Sequence, residues 1–193
     1  MKAAVCHEHG KPLTIEQVSI GDPSGHQVKV KIGACAICHS DIHYAEGAWG
    51  GYTPAIYGHE ASGVVMEAGS DVDRVAVGDK VIVTLIRSCV SCHFCDQGEP
   101  VLCDKSAAED ETHLLALEDG TEISQGMKTA AFAEWVLVDD SQIVKIPDHI
   151  LSLTPKNSSF RPLDLSRSFG IQTKNLDQLL LAERKHWWKK GFI

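Results

Sequence analysis

With 193 residues, the sequence is long enough for one domain with a hydrophobic core, alone or with an extension. Hydrophobic residues make up 44% and charged residues 23%, and no apolar run has the length of a signal peptide or a membrane span. The formal net charge of −8 divides into −13 over residues 1–150 and +5 over residues 151–193. The acidic body argues against nucleic acid as a partner. Seven cysteines without a secretory signal predict a cytoplasmic location.

Short strands separated by Gly and Pro turns follow one another along the first 146 residues. They are predicted at 2–5, 13–20, 28–32, 61–68, 75–83 (a strand, a turn at Gly78-Asp79 and a second strand), 132–138 and 142–146, with a hairpin turn at Asp119-Gly120. This pattern predicts a mainly β domain, either a barrel or a sandwich.

Four cysteines lie close together in a lobe at about residues 87–106. Cys89, Cys92 and Cys95 are separated by two residues each, and Cys103 follows after seven more. Thiolates at this spacing suit one tetrahedral ion, and soft sulfur ligands in a closed set favour a structural zinc. The alternatives are two disulfides, or reduced cysteines that pack in a core.

A second set of metal-binding residue types lies upstream of the lobe. Cys38 and His59 stand on turns beside strands, and Glu60 follows His59. A catalytic zinc takes three ligands of these types, and Asp41 is placed to fix the tautomer of His59. The alternative is that Cys38 and His59, with twenty residues between them, are ordinary packing or surface residues.

Three motifs in register resemble one known family. Gly58-His59-Glu60-Ala61-Ser62-Gly63-Val64-Val65, the preceding Cys38-His39-Ser40-Asp41 and the four-cysteine lobe are similar to the catalytic domain of zinc-dependent medium-chain alcohol dehydrogenases, from about residue 1 to about residue 150. The resemblance implies a GroES-like β-barrel with a catalytic and a structural zinc. It also implies NAD(P)-dependent interconversion of a small alcohol with an aldehyde or ketone.

The resemblance implies roles for individual residues as well. The metal ligands carried over by position are Cys38 and His59 for the catalytic zinc, with Glu60 beside the metal, and Cys89, Cys92, Cys95 and Cys103 for the structural zinc. The other positions carried over are Ser40 and His43 for proton relay, His39 for contact with the cofactor pyrophosphate, and Trp49 and Leu85 for the alcohol pocket. The alternatives are that Trp49 is a loop-packing aromatic and Leu85 an interior strand residue.

Residues 149–193 depart from the family pattern. In the family, a Rossmann domain with a Gly-rich fingerprint follows the barrel, whereas only Gly170 and Gly191 occur here, and no cysteine follows Cys103 to complete the catalytic zinc site. We therefore expect no Rossmann domain, and a basic tail that is irregular or partly helical over residues 175–190. Because the charge reverses near residue 150, we hypothesise that a frameshift replaced the cofactor domain. Translating the coding DNA in the other reading frames tests this hypothesis. If no frame encodes a Rossmann-like sequence with a nearby cysteine, the hypothesis is refuted.

Two functions stay open on the sequence alone. The first is the catalytic half of an alcohol dehydrogenase, inactive as this chain because hydride transfer needs a positioned nicotinamide. The second is a non-catalytic zinc-binding structural or interaction module. In such a module, the barrel face that the cofactor domain covers in the family would be exposed, which favours association of identical chains. No membrane partner is expected.

Overall fold

A computed structural model describes residues 1–106 and 114–147. The strands in this part are β1 (Lys2–Val5), β2 (Thr14–Ile20), β3 (Gln27–Ala36), β4 (Ala55–Ile56), β5 (Glu60–Ala68), β6 (Lys80–Val83), β7 (Leu115–Leu117), β8 (Ser124–Gln125), β9 (Trp135–Asp139) and β10 (Ile143–Lys145). The helices are α1 (His39–Ala45), α2 (His93–Asp96) and three 3-10 turns at Pro100–Leu102, Gly126–Lys128 and Asp140–Gln142. The predicted mainly β fold is confirmed. The tail predicted at 149–193, and the helix predicted within it at 175–190, lie outside the described residues.

Two antiparallel sheets form the body of the domain. The larger has the strand order β10-β6-β5-β3-β9, and the smaller has the order β1-β2-β7. A bridge between Ala3 and Ala133 joins β1 to the segment that leads into β9, and a bridge between Cys6 and Ala55 joins the end of β1 to β4. The sheets are therefore linked by backbone pairing as well as by side-chain packing.

The alternation of apolar and charged residues in β3 predicts burial for the valines correctly, but it fails at Lys29. Val28 and Val30 are fully buried in the core of the larger sheet, and each contributes about 1.5–3 kcal/mol to folding by its burial. Lys29, between them, is buried too. Its Nζ donates to Asp22 Oδ1 at 3.1 Å and to Glu67 Oε1 at 3.3 Å, so two carboxylates compensate its charge.

One local prediction fails, and several short elements, among them α1, α2, β4 and β8, were not predicted. The hairpin at Asp119-Gly120 is confirmed, because the Leu117 N–H donates to the Thr121 carbonyl at 2.8 Å. The prediction of a strand before Gly78 is wrong. The Asp79 carboxylate accepts the Ala76 N–H at 2.9 Å, and such a side-chain turn takes the donor that a strand would use for pairing. Helix α1 was not predicted, because seven residues are too few to show a helical period.

No dinucleotide-binding sheet is present within residues 1–106 and 114–147. The sole parallel pairing there joins β4 to β8, with two residues in each strand, whereas a Rossmann fold needs several parallel strands with helical crossovers. The helices of this part are also too short and too polar for any of them to cross a bilayer.

Candidate metal centres

The lobe brings the thiols of its four cysteines to one point. The sulfurs of Cys89, Cys92, Cys95 and Cys103 all lie within 4.8 Å of one another, and those of Cys92 and Cys95 are 3.5 Å apart. Helix α2 begins after Cys92, and the Asp96 N–H closes its turn on the Cys92 carbonyl at 3.0 Å. A tetrahedral zinc with bonds of about 2.3 Å separates its sulfurs by roughly 3.8 Å. The donor set therefore fits one zinc ion.

The free thiols of the lobe differ in acidity. Hydrogen bonding from the Ser91 backbone lowers the pKa of Cys89 to about 6, whereas burial, together with the neighbouring thiols, raises the pKa of Cys95 to about 11. Thiolates this close repel one another, so the cluster resists full ionisation without a cation. A divalent ion removes that repulsion, which is a second reason why the four thiols suit a metal.

Hydrogen bonds tie both ends of the lobe to the barrel. The Ser88 N–H donates to Ser141 Oγ at 3.0 Å, and Lys128 Nζ donates to the Ser106 carbonyl at 2.7 Å. Lys128 was missed by the sequence analysis, and no local pattern points to it, because its partner lies 22 residues away in the chain. These contacts fix where the lobe stands on the β domain.

Cys38, His59 and Glu60 lie together at a second centre. One donor atom from each lies within 4.8 Å of the other two. Cys38 is the N-cap of α1, in the loop after β3, and His59 and Glu60 lie at the start of β5. Because β3 pairs with β5 and Ala36 is opposite Glu60, the sheet brings the two segments together. Thiolate, imidazole and carboxylate form the mixed three-ligand set of an open zinc centre.

Asp41 connects the two halves of this centre from behind. Its side chain is 2% exposed. Oδ2 accepts the Cys38 N–H at 2.9 Å, while Oδ1 accepts the Gly58 N–H at 2.9 Å and lies 3.0 Å from His59 Nδ1. The predicted contact with His59 is therefore present, and a proton on Nδ1 leaves the Nε2 lone pair free for a metal. The two backbone contacts were not predicted.

Gly58 allows the chain to reach this carboxylate. Its φ is +93°, and a Cβ at this position would lie 2.6 Å from Phe132 Cδ1 and 2.7 Å from the Phe132 nitrogen. A side chain is therefore excluded both by backbone conformation and by space.

Helix α1 places three further predicted residues beside Cys38. Ser40 Oγ lies 3.6 Å from Cys38 Sγ. The rings of His39 and His43, one helical turn apart, have centroids 4.6 Å apart, and Trp49 lies 4.9 Å from His43. Nδ1 of His43 is buried without a hydrogen-bond partner among the described residues. An open hydrogen-bonding position therefore lies on the helix that begins after Cys38.

The predicted pocket residues Trp49 and Leu85 lie at the surface, 56% and 42% exposed. The alternative that Leu85 is an interior strand residue is wrong, because β6 ends at Val83. Their place in an alcohol pocket stays a prediction. Two cavities of about 450 and 500 Å³ lie instead beside the lobe, and neither is lined by Cys38 or His59.

The other two cysteines, Cys6 and Cys35, are packing residues. Cys6 is fully buried in the core of the smaller sheet, and Cys35 packs against both hydrophobic clusters. Burial raises the pKa of both thiols. Neither belongs to a candidate metal centre.

The fold and the two donor sets together define the class: a mainly β domain with a four-thiol lobe and a separate three-ligand centre. The pattern that describes the alcohol dehydrogenase GroES-like domain matches residues 24–148. The chain belongs to this family, and the predicted resemblance is confirmed.

Relatives of known identity agree with this assignment. The S-(hydroxymethyl)glutathione dehydrogenase of Komagataella pastoris is 36% identical over 76% of this chain and 41% of its own length. The alcohol dehydrogenase class-3 of Drosophila melanogaster is 36% identical over 75% of this chain and 40% of its own length. The chain therefore spans about two fifths of the length of these curated relatives.

Solved structures show the same correspondence. An alcohol dehydrogenase zinc-binding domain protein from Burkholderia ambifaria superposes with a TM-score of 0.73 at 29% identity, over 77% of this chain and 42% of that one. The benzyl alcohol dehydrogenase of Acinetobacter calcoaceticus superposes with a TM-score of 0.68 at 26% identity, over 78% of this chain and 42% of that one.

Proposed function

We propose that this chain is the zinc-binding catalytic domain of an alcohol dehydrogenase-like oxidoreductase and that it is inactive on its own. The observation that carries the proposal is the convergence of Cys38, His59 and Glu60 in front of the Asp41 carboxylate. In the complete family enzyme, this domain would act with NAD(P) to interconvert a small alcohol with an aldehyde or ketone.

Cys38, His59 and Glu60 would hold a zinc ion, which when bound polarises an alcohol oxygen and eases loss of its proton. Asp41 positions two of these ligands, through the Nδ1 of His59 and the backbone N–H of Cys38. Glu60 is the exposed member of the set, so its carboxylate would hold the ion from the solvent side.

Ser40 and His43 would carry the alcohol proton toward solvent. Ser40 Oγ stands beside the Cys38 sulfur, and His43 follows one turn later on the same helix. A hydroxyl can accept a proton while it passes its own to an imidazole nitrogen. The buried Nδ1 of His43, which has no hydrogen-bond partner within residues 1–106 and 114–147, supports this role.

His39, Trp49 and Leu85 would face the parts of the enzyme that bind cofactor and substrate. His39 is exposed at the start of α1 and would contact the cofactor pyrophosphate. Trp49 and Leu85 would form one apolar wall of the alcohol pocket, consistent with their exposure. Since positioning of the nicotinamide supplies much of the rate, we expect negligible alcohol-dependent NAD(P) reduction by the purified chain. Robust turnover in a metal-replete assay would contradict this.

Cys89, Cys92, Cys95 and Cys103 would hold the structural zinc. Four thiolates contribute on the order of 10 kcal/mol of metal-binding free energy to folding. This term would hold the lobe together, since only short helices and turns connect its cysteines.

Zinc stoichiometry by elemental analysis tests both centres. We expect two ions per wild-type chain and one each for Cys38→Ala and Cys92→Ala. Cys35→Ala, which removes a packing thiol, is the matched control and should keep both ions. If wild type and Cys38→Ala hold the same single ion, the second centre does not bind metal in this chain.

The second candidate function is a non-catalytic zinc-binding module. Large apolar side chains exposed on the described surface favour it, among them Val77, Val101 and Leu102. Such side chains favour association of identical chains, which light scattering with size-exclusion chromatography would measure. We place the chain in the cytoplasm, because all seven of its cysteines are free and metal-binding thiols need a reducing compartment.

A further inference from the structure

Two of the lobe thiols are placed to react with each other. Cys92 and Cys95 form a Cys-x-x-Cys step at the start of α2, and their sulfurs are 3.5 Å apart. Both side chains are half-buried, whereas Cys103 is 4% exposed. The Cys103 sulfur also accepts the Cys89 N–H at 3.2 Å, which holds this second pair in place.

We propose that the lobe is a peroxide-sensitive zinc switch, in which Cys92 and Cys95 form the first disulfide and the ion is released. The inference rests on the proposed structural zinc site. It adds a regulatory chemistry that hydride transfer does not use.

The reaction balances with hydrogen peroxide as the oxidant. One thiolate attacks a peroxide oxygen, the O–O bond breaks, and a sulfenic acid and hydroxide form. The second thiolate attacks the sulfenic sulfur, an S–S bond forms, and a second hydroxide leaves. The two sulfurs lose two electrons in total, the peroxide gains them, and two protons convert the hydroxides to water. Zinc loses two of its four ligands and dissociates.

Access of peroxide and the 3.5 Å separation of the two sulfurs favour this pair. Peroxide must reach the sulfur that it oxidises, and Cys103 is shielded. Cys89 is half-buried, but its backbone is hydrogen-bonded to the buried Cys103 sulfur. Cys92 and Cys95 combine access with a separation that short side-chain rotations bring to bonding distance.

Release of the ion should leave the β domain folded. The two hydrophobic core clusters contain no residue of the lobe at 87–106. The hydrogen bonds from Ser88 to Ser141 and from Lys128 to Ser106 lie at the lobe's two ends. The oxidised lobe can therefore change shape between two fixed points.

The test treats the zinc-loaded full chain with hydrogen peroxide. Zinc release is followed with a chromogenic chelator, and the disulfides are mapped by mass spectrometry of a non-reduced digest. The Cys38→Ala chain is run beside wild type, so that release from the second centre is recognised. We expect loss of one ion per Cys38→Ala chain together with a Cys92–Cys95 disulfide, and recovery with dithiothreitol and added zinc. Zinc retained after complete thiol oxidation, or a first disulfide through Cys103, would overturn the proposal.

Two matched variants separate the disulfide from the metal site. Cys95→His keeps a four-ligand zinc set, because three cysteines and one histidine bind zinc, but it cannot form the disulfide. It should therefore keep its ion at peroxide doses that empty wild type, whereas Cys89→His should still release zinc with Cys92 and Cys95 joined. Equal release from both variants would refute the assigned pair. The zinc content before oxidation reports separately on the proposed structural site.

Discussion

Replacing Asp41 with asparagine tests the arrangement behind the second centre. The carboxylate accepts from three groups on its two oxygens: the N–H groups of Cys38 and Gly58, and Nδ1 of His59. An asparagine of the same shape has one oxygen and one NH2 group. In either orientation, the NH2 group faces at least one backbone N–H donor, so one buried hydrogen bond becomes a clash of donors.

The size of the stability loss in Asp41→Asn follows from the burial and the charge of the carboxylate. A hydrogen bond to a charged group contributes about 1.5–3 kcal/mol, and an unsatisfied buried donor costs about 1–3 kcal/mol. We therefore expect Asp41→Asn to lower the free energy of unfolding by about 3 kcal/mol. Loss of the partner that orients His59 should also weaken zinc binding at this centre by about 10- to 100-fold.

Urea denaturation and competitive zinc titration measure the two effects. Asp73→Asn is the matched control, since it removes the same charge from an exposed side chain and should change neither quantity. If Asp41→Asn unfolds at the wild-type urea concentration and holds two zinc ions with wild-type affinity, Asp41 does not position the ligands.

Three further predictions concern the backbone, the charge and the metal. Gly58→Ala should cost about 3 kcal/mol in unfolding free energy, from positive φ and overlap with Phe132. Gly120→Ala has a similar φ but nothing within 4 Å, so thermal unfolding should show a cost of only about 1 kcal/mol. The hydrogen bond from Lys145 holds the pKa of Asp79 below its ordinary value of 3.8. The stability that this carboxylate contributes is therefore full above pH 4 and lost as pH falls through the lowered pKa. A stability difference between wild type and Asp79→Asn that persists at pH 2 would contradict this. Finally, chelation of zinc should make residues 87–106 sensitive to limited proteolysis while the β domain survives, and uniform digestion of the whole chain would count against a local role for the metal.

The structural lobe is the part of the molecule that local sequence describes well. Cys89, Cys92 and Cys95 are separated by two residues, and one short turn and the α2 helix suffice to bring their sulfurs together. The strands could also be predicted, because the period-2 alternation in segments such as Val28 to Ile32 has a direct physical cause in burial of one face. The strand expected before Gly78 failed where a side chain, Asp79, competed for a backbone donor.

The sequence by itself determined the β-strand segments and the four-thiol lobe, since both depend on residues near one another in the chain. The pairing of those strands joins distant residues, such as Gln27 and Asp139, and belongs to the tertiary structure. For the second centre the sequence supplied the residue types, and the resemblance to a family supplied their roles. Only the tertiary structure decided that Cys38 and His59 meet: the pairing of β3 with β5 brings them together, and a glycine at Gly58 leaves room for the turn. The Asp41 carboxylate then binds both segments at once. Contacts between distant segments depend on sheet register and on the space left by other side chains, and neither is encoded in the local spacing of residues.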